Sequence, residues 1–400
     1  MGPKSTYSYS INQNTFGLRS PYRPLMPAAF IAGVGQTPFG KSDADLVTLM
    51  EMASTEALVD AGTNVVDAVI VGSQTSDELA HVANLGTRVA DRLGLSGAAA
   101  WRVENSSATG SALLEAAVMA VRSGSYGTVL AVGGERMTDQ PTPVTAKVLG
   151  RVLADTEIAM GMTMPSLGAM TARLYMEKHG LTRETLAMVP VKAHSNGARN
   201  PLAHFRKAVD IERVLRSPIV ADPLRVFDCA PISDGAAAVV VTLKDTDVEV
   251  AGVGHGTDRI ALADRRGEGL RATQVAARQA YGDAGIAPGA VDFAELHDAF
   301  SILEIIDSED VGFFPRGEGW KALEAGVTAI DGNLPVNVSG GLKARGHPVG
   351  ATGLAQVAEV VWQLRGQADG RQLDGVHVGL AQNIGGFGCN NLVTIIRSVS

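Results

Sequence analysis

Two short stretches of this 400-residue chain put a reactive side chain at the start of an apolar helix. In VENSSATGSAL, residues 103–113, Ser107 stands directly before Ala-Thr-Gly and a run of alanine, leucine and valine. In GHPVGATGLAQV, residues 346–357, His347 stands just ahead of a second Ala-Thr-Gly. A helix start leaves backbone N–H groups unpaired and carries the positive end of the helix dipole, which suits a carbonyl oxygen gaining negative charge. Acyl chemistry fits such a place: a hydroxyl can receive an acyl group there, and an imidazole titrating near neutrality can take its proton. Read alone, Ser107 also has the makings of a plain N-cap, with its oxygen accepting the N–H two or three residues on. The two readings differ in where Oγ points.

What would bring Ser107 and His347 together is written into the chain as a repeat. FIAGVGQTPFG at 30 is echoed by EVAGVGHGTDR at 249, and ATGSALLEAAVMAVRSG at 108 by ATGLAQVAEVVWQLRG at 351. Each of those helices is followed by an apolar strand and a diglycine, YGTVLAVGGE (126–135) and GVHVGLAQNIGG (375–386). Short strands such as DAVIVGS at 67 and VDFAELH at 291 alternate with amphipathic helices, the pattern of sheets covered on both faces. The expected fold is therefore α/β, with α/β/α/β/α layering and two pseudo-symmetric halves. Residues 1–27 read as an N-terminal extension, 28–245 as the first half with an inserted loop domain at about 136–222, and 246–400 as the second half. Both repeated helices are apolar all round and so belong in a central layer.

Composition narrows the partners. With 46% apolar and 19% charged residues the chain can bury a large core, and its net charge of −8 comes without a basic stripe interleaved with aromatics, so nucleic acid is not an expected partner. Two cysteines, Cys229 and Cys389, and no secretory signal point to a reducing, cytoplasmic setting without disulfides or a cysteine-rich metal site. No apolar run reaches the roughly 20 residues of a membrane span. The opening MGPKST fits a myristoylation pattern formally, but with proline at its third position it reads as a chance match. Abundant Ala, Gly and Val in the helices suggest a homodimer or tetramer, with a strand near 126–134 pairing across the interface.

Four stretches, NSSATGS (105–111), ELHDAFS (295–301), SGGLKARGHPVGATG (339–353) and AQNIGGFG (381–388), in this order and spacing, resemble the thiolase superfamily and its sterol-carrier, lipid-transfer type. The resemblance covers roughly residues 28–398 and extends to YMEKHG, KAHSNGARNP and SPIVADPLRVFDCAPISDGAAAVVV (175–241). It implies a five-layer thiolase-like fold and acyl transfer from coenzyme A to a cysteine at the head of the first central helix. Ser107 occupies that cysteine's position, as a natural residue or as a replacement that stops turnover. A serine hydroxyl is far less ionised than a thiol, so thiolytic or condensing turnover is expected to be low.

The resemblance assigns the remaining roles. His347 matches the histidine that activates the nucleophile, and His297 in HDAF the polar residue that holds a water or the thioester oxygen, with Asp298 and Glu295 orienting or capping beside it. Asn383 stands where ordinary thiolases carry an acid/base cysteine; it is expected to polarise a carbonyl or water, while Gly385 and Gly386 supply backbone N–H donors, with the Ser107 N–H, to an oxyanion hole. Cys389 reads as a buried residue of the strand NNLVTII, and Cys229 as structural. Coenzyme A or acyl-CoA is the implied substrate, with no covalently bound cofactor. Met162, Ser233 and Gly346 are the candidates along its pantetheine tunnel, and no phosphate-binding Arg or Lys stands out. A small OB-fold, zinc-ribbon protein is an implied partner. The alternatives are a retro-aldol lyase acting on a β-hydroxyacyl-CoA, which needs no covalent acyl-enzyme, and a non-catalytic acyl-CoA-binding subunit.

Overall fold

The computed structural model describes residues 27–399. All but the last residue of the expected 1–27 extension, and the MGPKST pattern, lie outside the described residues. The first half runs β1 (Phe30–Gln36), α1 (Leu46–Asp60), β2 (Ala68–Gly72), α2 (Leu85–Arg92), β3 (Ala99–Arg102), α3 (Thr109–Arg122) and β4 (Thr128–Glu135). A long excursion follows, with α4 (Thr142–Leu149), α5 (Asp155–Ala159), α6 (Met164–His179), α7 (Arg183–Gly197), α8 (Ile211–Arg216), β5 (Ile219–Ala221) and β6 (Leu224–Arg225), before β7 (Gly235–Thr242) returns to the sheet. The second half holds β8 (Val248–Thr257), α9 (Arg271–Ala284), β9 (Phe293–Glu295), α10 (Ser301–Asp310), α11 (Gly319–Glu324), α12 (Gly341–Ala344), α13 (Thr352–Arg365), β10 (Val378–Gly385) and β11 (Asn390–Ser398).

Nine strands join in the order β3-β2-β4-β7-β1-β8-β11-β10-β9. The two repeated glycine-rich strands, β1 and β8, meet antiparallel at Phe30 and Glu249, so the halves join where the repeat begins. Strands such as β2 (AVIVG) and β7 (GAAAVVVT) are buried along their whole length, which is why they read as unbroken apolar runs rather than alternating ones. One face of the first half-sheet packs on α1 and α2 around Met50, Val69 and Val240. Its other face, with the second half-sheet, encloses α3 and α13 around Leu113, Val118, Leu354 and Val357. On the far side α9 covers β8, β10 and β11 through Ala276, Leu380 and Ile395. Helix, sheet, paired helices, sheet, helix is the expected five-layer arrangement.

At the centre the two Ala-Thr-Gly helix starts touch. A Cβ on Gly110 would stand 2.6 Å from the backbone N of Gly353, and one on Gly353 would stand 2.3 Å from the backbone N of Ser111. Only glycine permits that approach, so the repeated tripeptide marks a helix crossing. The excursion folds over the second half: Leu167, Tyr175 and Leu186 share a cluster with Phe300, Ile305, Ile384 and Phe387.

One expectation is corrected here. The strand near 126–134 cannot pair across a dimer interface, because β4 already lies between β2 and β7 with both edges bonded. Its apolar sequence is that of an inner strand. The terminal strand of the first half is β3, short and only half-buried (AAWR), so a sheet continued into a second copy would have to start there.

Candidate active site

Ser107, His297, His347 and Asn383 sit at or near the ends of strands and helices of the central layers. Beyond β9 the chain leaves the sheet through His297, whose backbone N–H donates to Gln382 Oε1 at 2.9 Å. On neighbouring β10, Asn383 donates from Nδ2 to His297 Nδ1 at 2.8 Å. An acceptor at Nδ1 leaves the neutral ring its proton on Nε2. His347 has the opposite tautomer. Thr352 Oγ1 donates to the Pro348 carbonyl at 2.9 Å, so it must accept at its 2.7 Å contact with His347 Nδ1, and Nε2 of that ring keeps a lone pair. The two imidazoles meet edge to face with centroids 4.9 Å apart.

The electrostatics keep both rings neutral. Burial, then the Arg345 guanidinium, pushes His347 down to about 3. Burial first, then His347 and Arg345, holds His297 well below its ordinary value. Arg345 is itself buried and paired with Glu295, which also takes the Ser339 N–H and hydroxyl. Asp298 accepts the Leu342 N–H at 2.6 Å. Burial raises both carboxyls above their usual range. Glu295 and Asp298 thus hold the 339–345 segment ahead of the His347 turn, rather than bonding to the His297 ring beside them.

Ser107 is buried and does not cap α3, whose N-cap is Ala108 without a side-chain bond. Its Oγ instead donates to the Ile384 carbonyl at 2.7 Å. Thr109 serves the local turn, with Oγ1 accepting the Asn105 N–H and donating to the Ser106 carbonyl. The contact with Ile384 ties Ser107 to the end of β10, one residue along the strand from Asn383.

Several assignments need revision. Gly385 N–H is turned on to Asn391 Oδ1, and Gly386 N–H reaches Ser106 Oγ, both at 3.3 Å, so neither glycine presents an unpartnered donor. Asn383 faces the His297 ring with its amide nitrogen, which makes it a positioning group for that ring; its Oδ1 has no partner. Ser233 is fully buried and accepts the His347 N–H at 3.2 Å, with His204 Nδ1 at 3.0 Å from the same hydroxyl. Gly346 packs behind the turn with φ 109°, where a Cβ would stand 2.9 Å from Ser233 Oγ. Ser233 and Gly346 therefore build the His347 turn rather than line a tunnel. Met162 packs against the cluster of Phe300 and Phe387. Cys389 lies in the turn before β11 rather than within it, with Sγ 3.7 Å from the Gly385 carbonyl. Burial lifts the Cys229 thiol to about 11 and keeps it protonated.

A cavity of about 1240 Å³ opens beside the site. Ile232, bridged to His347, is at one part of its wall, and Arg206, Lys207 and Arg213 with Phe205 and Phe227 are at another. Sequence reasoning missed these basic residues because they belong to the excursion, which has no repeat and no motif. Among the described residues no group of three or more His, Cys, Asp or Glu side chains could hold a metal ion, and no helix is long and apolar enough to cross a membrane.

Comparison with known proteins bears on this geometry. Family models described as "Thiolase, N-terminal domain" and "Thiolase C-terminal domain-like" match residues 29–245 and 254–398. The chain is similar to an acetyl-CoA acetyltransferase of Methanothermobacter thermautotrophicus, at 45% identity over 90% of this chain and 96% of that one. It is also similar to sterol carrier protein 2 of Bos taurus, at 33% identity over 90% and 71%. Among solved structures, the Ltp2-ChsH2(DUF35) aldolase superposes with a TM-score of 0.79 at 26% identity, over 92% of this chain and 98% of that one.

Proposed function

The chain belongs to the thiolase family, and from that premise we propose that it is an acyl-CoA acyltransferase whose reacting centre is Ser107, His347 and His297. The observation that carries the reading is the pair of buried, neutral imidazoles of opposite tautomer, one with a free Nε2 lone pair and the other with an Nε2–H. A thiolase-type step needs both. His347 Nε2 takes the proton as Ser107 Oγ attacks the C3 carbonyl of a 3-oxoacyl-CoA. The C2–C3 bond then breaks and its electrons pass to the thioester oxygen of the leaving acetyl-CoA enolate, where the His297 Nε2–H donates. That enolate takes up at C2 the proton that His347 received from Ser107 and departs as acetyl-CoA, and the thiol of a second coenzyme A displaces the acyl group from Ser107 while its proton returns to Oγ by way of His347. Asn383 holds the His297 tautomer, Thr352 holds that of His347, and Ser233 holds the backbone of the His347 turn.

The 1240 Å³ cavity supports a coenzyme A substrate. Arg206, Lys207 and Arg213 at its wall suit the phosphates of the nucleotide end. The aromatic faces of Phe205 and Phe227 suit a stacked base. The aldolase neighbour, named together with a DUF35 protein, supports a small partner protein for this chain as well.

A second reading, carbon–carbon cleavage of a β-hydroxyacyl-CoA, is favoured by one specific observation. The Ser107 proton is committed to the Ile384 carbonyl, and His347 Nε2 is free to take a proton from a substrate hydroxyl instead. Intact-mass measurement after incubation with acetyl-CoA separates the two. The acyltransferase reading expects a slowly formed acetyl adduct on the native chain and a rapid one on Ser107→Cys. No adduct on either, together with release of acetyl-CoA or propionyl-CoA from a β-hydroxyacyl-CoA, would establish the lyase in its place.

A further inference from the structure

Four polar side chains away from the histidine pair form a chain that ends at the Ser107 loop. His255, half-buried on β8, sets Nδ1 2.8 Å from Glu115 Oε2 of α3 and Nε2 2.6 Å from Asn390 Oδ1 at the start of β11. Asn390 Nδ2 in turn donates to Asn105 Oδ1, two residues before Ser107. Carboxylate and amide oxygens only accept, so each nitrogen of the His255 ring must carry a hydrogen, and the arrangement holds only for the imidazolium. The Glu115 carboxylate, through its hydrogen bond first, raises His255 above its ordinary 6.5. From the other elements packed on it, β11 presents the neutral Asn390 and α9 the neutral Gln279, whose Oε1 accepts the His255 backbone N–H.

The chain has a direction. With its oxygen on His255, Asn390 must offer its nitrogen to Asn105, and Asn105 Nδ2 is left buried without a partner. Removing the Nε2 proton would set two lone pairs face to face. The remedy is a half-turn of the Asn390 amide and then of the Asn105 amide, after which the unpartnered Asn105 Nδ2 donates to Asn390 Oδ1. Glu115 and Asn105 belong to the first half, His255 and Asn390 to the second, and the Asn105 backbone carbonyl and the Ala108 methyl group adjoin Gly385.

We propose that Glu115, His255, Asn390 and Asn105 form a proton-operated amide relay, in which His255 is a positioning residue that sets the orientation of Asn105 in the Ser107 loop. Its effect on turnover rests on the reading of Ser107 as the acyl acceptor; the relay itself rests on hydrogen-bond parity. Nitrogen-detected NMR of the full-length protein from pH 5.5 to 9 tests it without any variant. The expected result is a His255 ring protonated on both nitrogens at pH 6, a midpoint above 6.5, and Asn105 and Asn390 side-chain amide signals that move with that midpoint. Glu115→Gln should carry all three midpoints down together, because it removes the hydrogen-bonded carboxylate that raises His255. A singly protonated His255 at pH 6, or asparagine signals that ignore its titration, would overturn the relay. In Ser107→Cys the acetylation rate should step with the same midpoint; a rate flat across it would remove the positioning role. Absence of acetylation at every pH with the relay intact would count against the acyltransferase reading alone.

Discussion

Gly353→Ala adds one methyl group at the contact between the two central helices, and the structure says how badly it fits. The new Cβ would stand 2.3 Å from the Ser111 backbone N, 2.5 Å from Asn383 Oδ1 and 2.6 Å from Ser111 Oγ. The nearest atom is helix backbone in a fully buried layer, so relief requires α3 and α13 to separate by more than 1 Å, and overpacking of this kind costs about 3 kcal/mol. With unfolding entropy of about 2.1 cal/mol/K per residue, a described chain of this size should lose about 4 °C in melting temperature. Gly282→Ala is the matched control. It lies within α9 with nothing within 4 Å of an added Cβ, so the same chemical change should stabilise by about 0.5–1 kcal/mol. Calorimetry of both variants beside the parent gives the comparison. Because Asn383 also holds His297, Gly353→Ala in the Ser107→Cys background should lower acyl transfer well below the temperature at which it melts. A Gly353→Ala protein as stable as Gly282→Ala would refute the crossing as a tight glycine contact.

Other perturbations have definite signs. His347→Gln in the Ser107→Cys background removes the free Nε2 base and should cut acylation by about 10²–10⁴-fold in stopped-flow or quenched mass assays, with the fold unchanged by circular dichroism. Arg213→Ala, which also loses the guanidinium packed 5.9 Å from the Phe227 ring, should raise KM for an acyl-CoA about tenfold and leave a pantetheine-length thioester unaffected; equal effects on both would place the nucleotide elsewhere. Glu135, fully buried, is pushed up to about 7 by burial against four opposing hydrogen bonds from Ser73, Gln74 and Thr75. The folded protein therefore binds more protons than the unfolded chain between about pH 4.5 and 7, and this group's contribution to stability falls as pH rises through that window. Denaturant titrations should show that fall shrink in Glu135→Gln.

How much of this was legible in the sequence follows from what kind of signal each part leaves. The repeat was readable because burial on both faces and a glycine crossing constrain residue types at fixed spacing, and so the five layers and the helices at 109 and 352 follow from it. His297, His347 and Asn383 sit in short motifs, and the structure gathers them. Ser233 was in view for a different role, since a buried hydroxyl holding a turn and one lining a tunnel look the same in a sequence. The place of β4 was misread for a related reason: an apolar run reports burial but not which neighbour provides it. Arg206, Lys207, Arg213 and the His255 relay had no signal, because each depends on contacts between distant segments of ordinary polar residues.

The serine itself shapes what the family chemistry can become in this chain. A cysteine acyl-enzyme is a thioester, so its exchange with the thiol of coenzyme A swaps like for like and runs freely in both directions. An acyl-Ser107 is an oxygen ester, more stable than the thioester that must be made from it, so loading from acetyl-CoA runs downhill and release to coenzyme A runs uphill. The same change removes the easily ionised thiolate, and Oγ begins tied to the Ile384 carbonyl rather than to the base. On the acyltransferase reading, slow loading followed by slower release should make the native chain accumulate any acyl group it accepts, whereas a lyase on this scaffold would never form one. Hydroxylamine at neutral pH cleaves thioesters and spares alkyl oxygen esters, so an adduct on Ser107 of the native protein should survive it there and be removed, with the original mass restored, only at alkaline pH. An adduct lost at neutral pH, or one that maps to Cys229 or Cys389, would show that the acyl group had reached the chain by another route than the histidine pair.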